Sequence, residues 1–281
     1  ESIIIDSSTP GGFPEADITI PNNYYPGLWN ESVSQARKRE ATWLLFIASD
    51  IQLIEVEMIE LCIHEAINDP DLMLWTPSIA KDSRCFYKST ISCLTAGMRH
   101  CGVPEGFCFM TRTSLLKEQY PVPEENFSGF SIDTITAVKA HELGKVAVDD
   151  RVIILHPKQK EHHQIDMRKA YTQGNIYRSG FQISDQVTLR VNELERIGKE
   201  GKTTPALKPA KSLDLGCGDN PKDYFKTGHT FGIDVRNPGN RPNIALSDLF
   251  IHPIPYENSS FDYITAFDFI DTHDDEKHEI Q

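Results

Sequence analysis

The chain has 281 residues, 39% of them hydrophobic, and its 28 Lys and Arg against 41 Asp and Glu give a formal net charge of -13. That is enough apolar material for two ordinary cores and far from a disordered composition, while the acidic balance excludes the basic face a nucleic-acid binder needs. No apolar run approaches the roughly 20 residues of a membrane-spanning helix, so no integral membrane segment is expected.

Six cysteines (Cys62, Cys85, Cys93, Cys101, Cys108, Cys217) form no C-x-x-C pair. They are too sparse for a disulfide framework, which predicts free thiols and a cytoplasmic protein. Glu1 is not an initiator Met and the chain opens inside an apolar run, SIIID, so the sequence reads as a fragment.

In chain order, ESIIID predicts a buried strand that ends at Asp6, and ADITIP a second, weaker one. GLWNESVSQARKRE has helical spacing, with Asn30 as its cap. ATWLLFIASD is the most apolar strand of the first half and ends at Asp50. VEMIELCIHEAIND predicts an amphipathic helix, LMLWTPSI a strand, and EGFCFMTRTSLL a strand running into a helix. SIDTITAVKAHELG predicts a helix stopped by Gly144, with Asp133 suited either to capping it or to chemistry. KVAVDDRVIILHPK predicts two short strands closed by His156. Residues 158–209 read as a helical extension whose end, GKEGKTTPALKPAK, has a linker's composition.

The tail differs in character. In KSLDLGCGDNP a strand delivers Gly216 and Gly218 into a tight turn, where the backbone needs close approach and positive φ. About 20 residues later a second strand, FGID, ends in Asp234, placed to accept hydrogen bonds from a ribose diol. The third glycine of the dinucleotide fingerprint is missing, so the pattern suits a nucleoside without phosphates better than NAD. Asp214-Leu215-Gly216-Cys217-Gly218 resembles the first motif of class I S-adenosylmethionine-dependent methyltransferases, and Asp234 is similar to their ribose-binding acid. SDLFIHPIPYENSSFDYITAFDFI resembles the segment through their third and fourth strands. The resemblance implies that Asp214, Gly216, Gly218, Asp234 and Asp248 bind S-adenosyl-L-methionine, with Asp248 near the adenine. The 72 residues 210–281 hold about four strands, a partial sheet for that family, and the expectation is that this piece alone methylates poorly.

The front has its own pattern. Asp6 after an early strand, then Asn23, Gly27, Asn30 and Ala36, then Ala48-Ser49-Asp50 at the end of an apolar strand resemble GT-A glycosyltransferases of the inverting, family-2-like kind, which have a Rossmann-like sheet. The resemblance implies a nucleotide-sugar donor, UDP-linked at a guess, contacted by Asp6 and held through Mn²⁺ or Mg²⁺ by Asp50 and His156. It also implies Asp133 as the base for an acceptor hydroxyl. A cation on the phosphates neutralises the leaving group, and such ions favour oxygen ligands. The family's D-x-D motif is reduced here to a single acid.

The expectation is therefore an α/β chain with a GT-A-like domain over 1–157, the extension over 158–209 and a partial methyltransferase domain over 210–281. It would transfer a sugar to a glycan or glycolipid acceptor in surface polysaccharide or glycolipid synthesis. Two alternatives stay open: a methyltransferase whose front domain is catalytically silent, and a non-enzymatic assembly module.

Overall fold

A computed structural model describes residues 3–7, 12–21, 24–54, 58–95, 97–157, 166–207, 211–218, 220–222, 230–235, 241–249, 251–256, 261 and 263–266. Asn23, Asp219, Asp262 and the pair His162-His163 lie outside them. The chain is a mixed α/β protein that divides into two compact units: Glu1–Cys93 with Met98–Pro205, and Leu94–Gly97 with Ala206–Gln281.

The first unit opens with a two-stranded parallel sheet, β1 (Ile5–Ser7) and β2 (Ile18–Ile20), followed by α1 (Tyr24–Lys38). Asn30 does not cap α1. It lies inside the helix, where its side-chain amide takes both the carbonyl (3.0 Å) and the N–H (2.8 Å) of Val122 and pins the 120–127 loop. The main sheet contains β3 (Trp43–Ile47), β4 (Gln52–Leu53), β5 (Leu72–Ile79), β6 (Met98–His100), β7 (Cys108–Arg112) and β8 (Lys145–Leu155). Its order is β3-β7-β5-β8-β4, with β6 also paired to β8. β5 and β8 run parallel, whereas β7 is antiparallel to both its neighbours.

The segment expected as two strands is the single strand β8. The polar Asp149-Asp150-Arg151 stretch does not break it, because a register shift opposite Pro77 and Ser78 absorbs the irregularity. Trp75 Nε1 also donates to the buried Asp149 carboxylate at 3.3 Å.

Between β4 and β5 lies α2 (Ile59–Asn68), which packs on β5 and β8, and α3 (Ile132–Leu143) precedes β8. Trp29 and Val33 of α1 and Ile132 and Ala140 of α3 join Phe46, Leu74, Phe109, Val146 and Val148 of the sheet in one core cluster. Each buried Val, Leu, Ile or Phe side chain there contributes about 1.5–3 kcal/mol by leaving water.

The polar extension does not hang free. It forms α4 (Met167–Ser179) and α5 (Asp185–Lys199), and Val187 and Val191 of α5 pack with Val103, Ala137 and Val138. Even the linker-like end is fastened: Thr204 is buried, and Pro205 accepts the His100 N–H at 2.8 Å. Composition cannot reveal this, since one threonine and one carbonyl make the attachment.

The second unit is a parallel sheet of β9 (Ser212–Leu215), β10 (Thr230–Asp234), β11 (Ile244–Leu246) and β12 (Tyr263–Thr265), in the order β11-β10-β9-β12. Within the unit this is a 3-2-1-4 arrangement, as in doubly wound nucleotide-binding sheets. The order reverses beside β9, and ligands of such sheets bind at that reversal, beyond the strand ends.

Candidate functional site

Chain direction brings Asp50 and His156 together. β3 ends at Ile47, and the Ala48 N–H donates to Phe107 O at 2.8 Å. The chain then turns through Asp50 and pairs antiparallel with the end of β8, Gln52 opposite Leu155, so Asp50 lies beside His156. Asp50 Oδ2 is 3.1 Å from His156 Nε2.

Further contacts hold His156. Its N–H donates to Ser83 Oγ at 3.1 Å, Nδ1 faces the Arg84 carbonyl at 3.3 Å, and its ring lies 4.2 Å from that of Phe107. A carbonyl only accepts, so Nδ1 carries the hydrogen there. In neutral imidazole Nε2 then presents a lone pair to a carboxylate, an arrangement that asks for a cation between them, proton or metal. Histidines that bind metals commonly donate their other ring N–H to a carbonyl in this way.

The spacing also suits a metal. Two cis ligands, each about 2.1 Å from an octahedral ion, lie about 3 Å apart. No group of three His, Cys, Asp or Glu that could hold a metal occurs among the described residues. A Mg²⁺-like ion here would complete its shell with water and substrate oxygens, the usual arrangement for phosphate-bound ions. The side chain of Asp50 is 37% exposed, which leaves that approach open.

Asp133 lies in the first turn of α3, whose cap is Ser131, held at φ 73°. Ser131 occupies the cap position but makes no side-chain capping bond, and Asp133 itself takes one of the first-turn N–H groups. Asp133 Oδ1 accepts the Thr134 N–H at 2.7 Å and faces Thr134 Oγ1 at 3.3 Å, and Tyr87 Oη is 2.8 Å from that hydroxyl. Oδ2 points past Gly106, where a Cβ would lie 3.5 Å from it and 3.2 Å from the Tyr25 hydroxyl. Tyr25 donates to the Gly106 carbonyl. Its ring packs so tightly on Gly129 that a Cβ there would sit 2.4 Å from it. Burial, and then the charge of Glu105, pushes the Asp133 carboxyl up to about 7.

The three residues Glu105-Gly106-Phe107 thus join the two halves: Phe107 stacks on His156, while Gly106 faces Tyr25 and Asp133. Glu105 is a buried participant that the sequence reading passed over. Its only sequence signal was a lone acid between a proline and a glycine just before an apolar strand. Asp6 is buried in the middle of β1, in the small parallel sheet with β2.

In the second unit, Gly216 (φ 68°) and Gly218 (φ 58°) take the left-handed turn for which glycine suits best. The N–H groups of Gly216 and Cys217 return to Ile233 O at 2.8 and 3.3 Å, and Gly218 N–H donates to Asp234 Oδ2 at 2.9 Å. The acid is therefore held across the mouth of the turn, and a Cβ at Gly218 would meet nothing within 4 Å. Gly232, also unmarked by the sequence reading, lets β10 approach: its Cβ would lie 2.2 Å from Cys217 Sγ. Asp214 is buried and spans the strand ends, accepting from Lys222 N–H and Thr265 Oγ1, each at 2.9 Å. Asp248 follows β11, and its carbonyl accepts the N–H groups of Ile251 (3.1 Å) and His252 (2.8 Å).

No protein-family model matches the chain, and no curated protein matches its sequence. None of the six cysteines forms a disulfide. No helix among the described residues is long and apolar enough to cross a membrane.

Proposed function

We propose that the first unit is an inverting, GT-A-like glycosyltransferase that takes a nucleoside diphosphate sugar, and that the second is part of a class I methyltransferase sheet binding S-adenosyl-L-methionine. The observation that carries the first reading is the Asp50–His156 pair, with Nδ1 committed to a carbonyl and Nε2 aimed at a carboxylate. Asp50 and His156 would hold a Mn²⁺ or Mg²⁺ ion, which when bound neutralises charge on the departing diphosphate.

Asp133 acts as the base. Its Oδ2 takes the proton of an acceptor hydroxyl of a glycan or glycolipid as the acceptor oxygen bonds to the anomeric carbon. The bond from that carbon to the diphosphate breaks on the opposite face, so the configuration inverts. A carboxylate that titrates near neutrality is a stronger proton acceptor than an exposed one and is still substantially ionised at pH 7. Phe107, stacked on His156, keeps the imidazole edge turned to Asp50. Asp6 is retained as a contact to the nucleoside.

For the second unit, the support is the 3-2-1-4 parallel order with the glycine turn at the end of β9 and Asp234 across it. Asp214 acts here by tying the turn to β12, and Asp248 is kept as the group near the adenine.

Calorimetric titration of UDP with and without Mn²⁺ tests the first reading. Metal-dependent binding that disappears in Asp50→Ala supports it. Absence of binding in both conditions transfers the weight to a methyltransferase with a silent front domain, the reading that the single-acid motif favours.

A further inference from the structure

Residues 83–87 touch both halves of the site. Ser83 and Arg84 hold His156, through Oγ to its N–H and through the carbonyl to Nδ1. Two and three residues after Arg84, the N–H groups of Phe86 and Tyr87 converge on one oxygen of Glu105, the Tyr87 contact at 2.7 Å. The phenol of the same Tyr87 reaches Thr134, which bonds Asp133. One short strap therefore runs from the imidazole to the aspartate, and its fastening point is a buried carboxylate.

We propose that Glu105 is a positioning residue that clamps the strap 83–87 and so couples Asp133 to His156. Its role in catalysis rests on the function proposed above; the coupling itself does not. Burial raises the proton affinity of Glu105 overall, and the two converging backbone N–H groups, which favour the ionised form, offset part of that rise. The charge of Glu105 is the second cause, after burial, of the raised Asp133 titration.

The other titratable groups near this pair are few. Tyr25 from α1 and Tyr87 from the strap both feel the Asp133 charge and stay protonated. Glu195 from α5 feels Glu105, and Cys85 lies beside it with its thiol pushed up to about 12 by burial. Lys88 faces Cys85 and donates to its carbonyl.

The two functions of Glu105 separate by substitution. Glu105→Gln keeps an oxygen for the two N–H groups and removes the charge, whereas Glu105→Ala removes both. The readouts are carbon-detected NMR titration of the Asp133 carboxyl and the hydrogen-exchange rate of the His156 backbone N–H, which bonds Ser83 Oγ, in the unliganded protein. In Glu105→Gln the Asp133 midpoint falls and exchange of the His156 N–H is unchanged. In Glu105→Ala both move.

Tyr87→Phe, which loses only the contact to Thr134, weakens a hydrogen bond to the Asp133 carboxylate and raises its midpoint, opposite in sign to Glu105→Gln. If Glu105→Ala does not fold, Glu105→Asp, which shortens the clamp by one methylene, takes its place with the same two readouts. An Asp133 curve unmoved in Glu105→Gln, or unchanged exchange of the His156 N–H in a folded Glu105→Ala, overturns the proposal. Because no substrate enters this experiment, failure of UDP binding would leave the coupling standing and remove only its catalytic meaning.

Discussion

Asp50 and His156, 106 positions apart in the chain, meet with Oδ2 and Nε2 at 3.1 Å, and the far nitrogen of the histidine faces the Arg84 carbonyl. With Nδ1 facing a carbonyl and Nε2 facing a carboxylate, either a proton on Nε2 or a bound metal ion would satisfy the pair.

Asp50→Ala and His156→Ala should each weaken Mn²⁺-dependent UDP binding about tenfold or more, the scale of one lost charged interaction. If both residues bind one ion, the double variant binds little worse than either single one, because the second loss finds no ion left to release. Additive losses in calorimetry would count against a shared ion.

Asp133 makes stability depend on pH. Its folded carboxyl titrates at about 7 against a reference of 3.8, so the folded chain binds more protons than the unfolded one between those values. The contribution is fully present below about 3.8 and is lost as pH rises to about 7. In urea unfolding, the wild type should lose stability relative to Asp133→Asn across that window and run parallel to it above. Transferase activity, if Asp133 is the base, rises through the same midpoint.

Ser131→Gly should stabilise the chain by about 0.5–1 kcal/mol, the left-handed cost of a side chain less the extra backbone entropy of glycine. The serine hydroxyl makes no capping bond that would be lost. Denaturant midpoints decide it, and a destabilised Ser131→Gly would mean the hydroxyl does more than the backbone requires.

Arg99 is 1% exposed, bonds Asp150 through Nε at 2.9 Å and Nη2 at 3.1 Å, and reaches Thr204 Oγ1 at 3.0 Å. Arg99→Ala leaves a buried carboxylate without its counter-charge and should cost about 3–5 kcal/mol. Equilibrium denaturation reads this directly.

S-adenosylhomocysteine should bind the second unit, and Asp234→Ala should weaken it about tenfold or more through loss of a charge-assisted hydrogen bond to the ribose. Asp234 also holds the Gly218 N–H, so Asp234→Asn, which still offers an oxygen to that N–H, separates turn support from ribose binding. Equal affinity in the wild type and Asp234→Ala would remove the acid from the ligand.

Several elements were legible because their signals are local. The spacing of SIDTITAVKAHELG and its terminal glycine gave α3 and its stop, where the Gly144 N–H caps Ala140 O at 2.9 Å. The run LMLWTPSI gave β5, whose near-complete burial explains an unbroken apolar stretch. Asn30 misled because an asparagine before a helical pattern is a good cap in general, and nothing in the sequence says that Val122 will compete for it. Glu105 was passed over for the same reason: its partners, Phe86, Tyr87 and Asp133, are 18 or more residues away.

The sequence by itself determined which residues can do chemistry: a strand-ending Asp50, a strand-ending His156, an acid in the first turn of a helix, and a glycine turn with an acid on the next strand. Periodicity and turn chemistry act over a few residues, and those features need nothing more. The tertiary structure alone decided which of them meet. The antiparallel return of β4 onto β8 sets Asp50 against His156, the loop before β7 sets Glu105 beside Asp133, and β1 pairs with β2 in the small sheet that holds Asp6. Proton affinity follows from these meetings, because burial and neighbouring charge are properties of the packed chain.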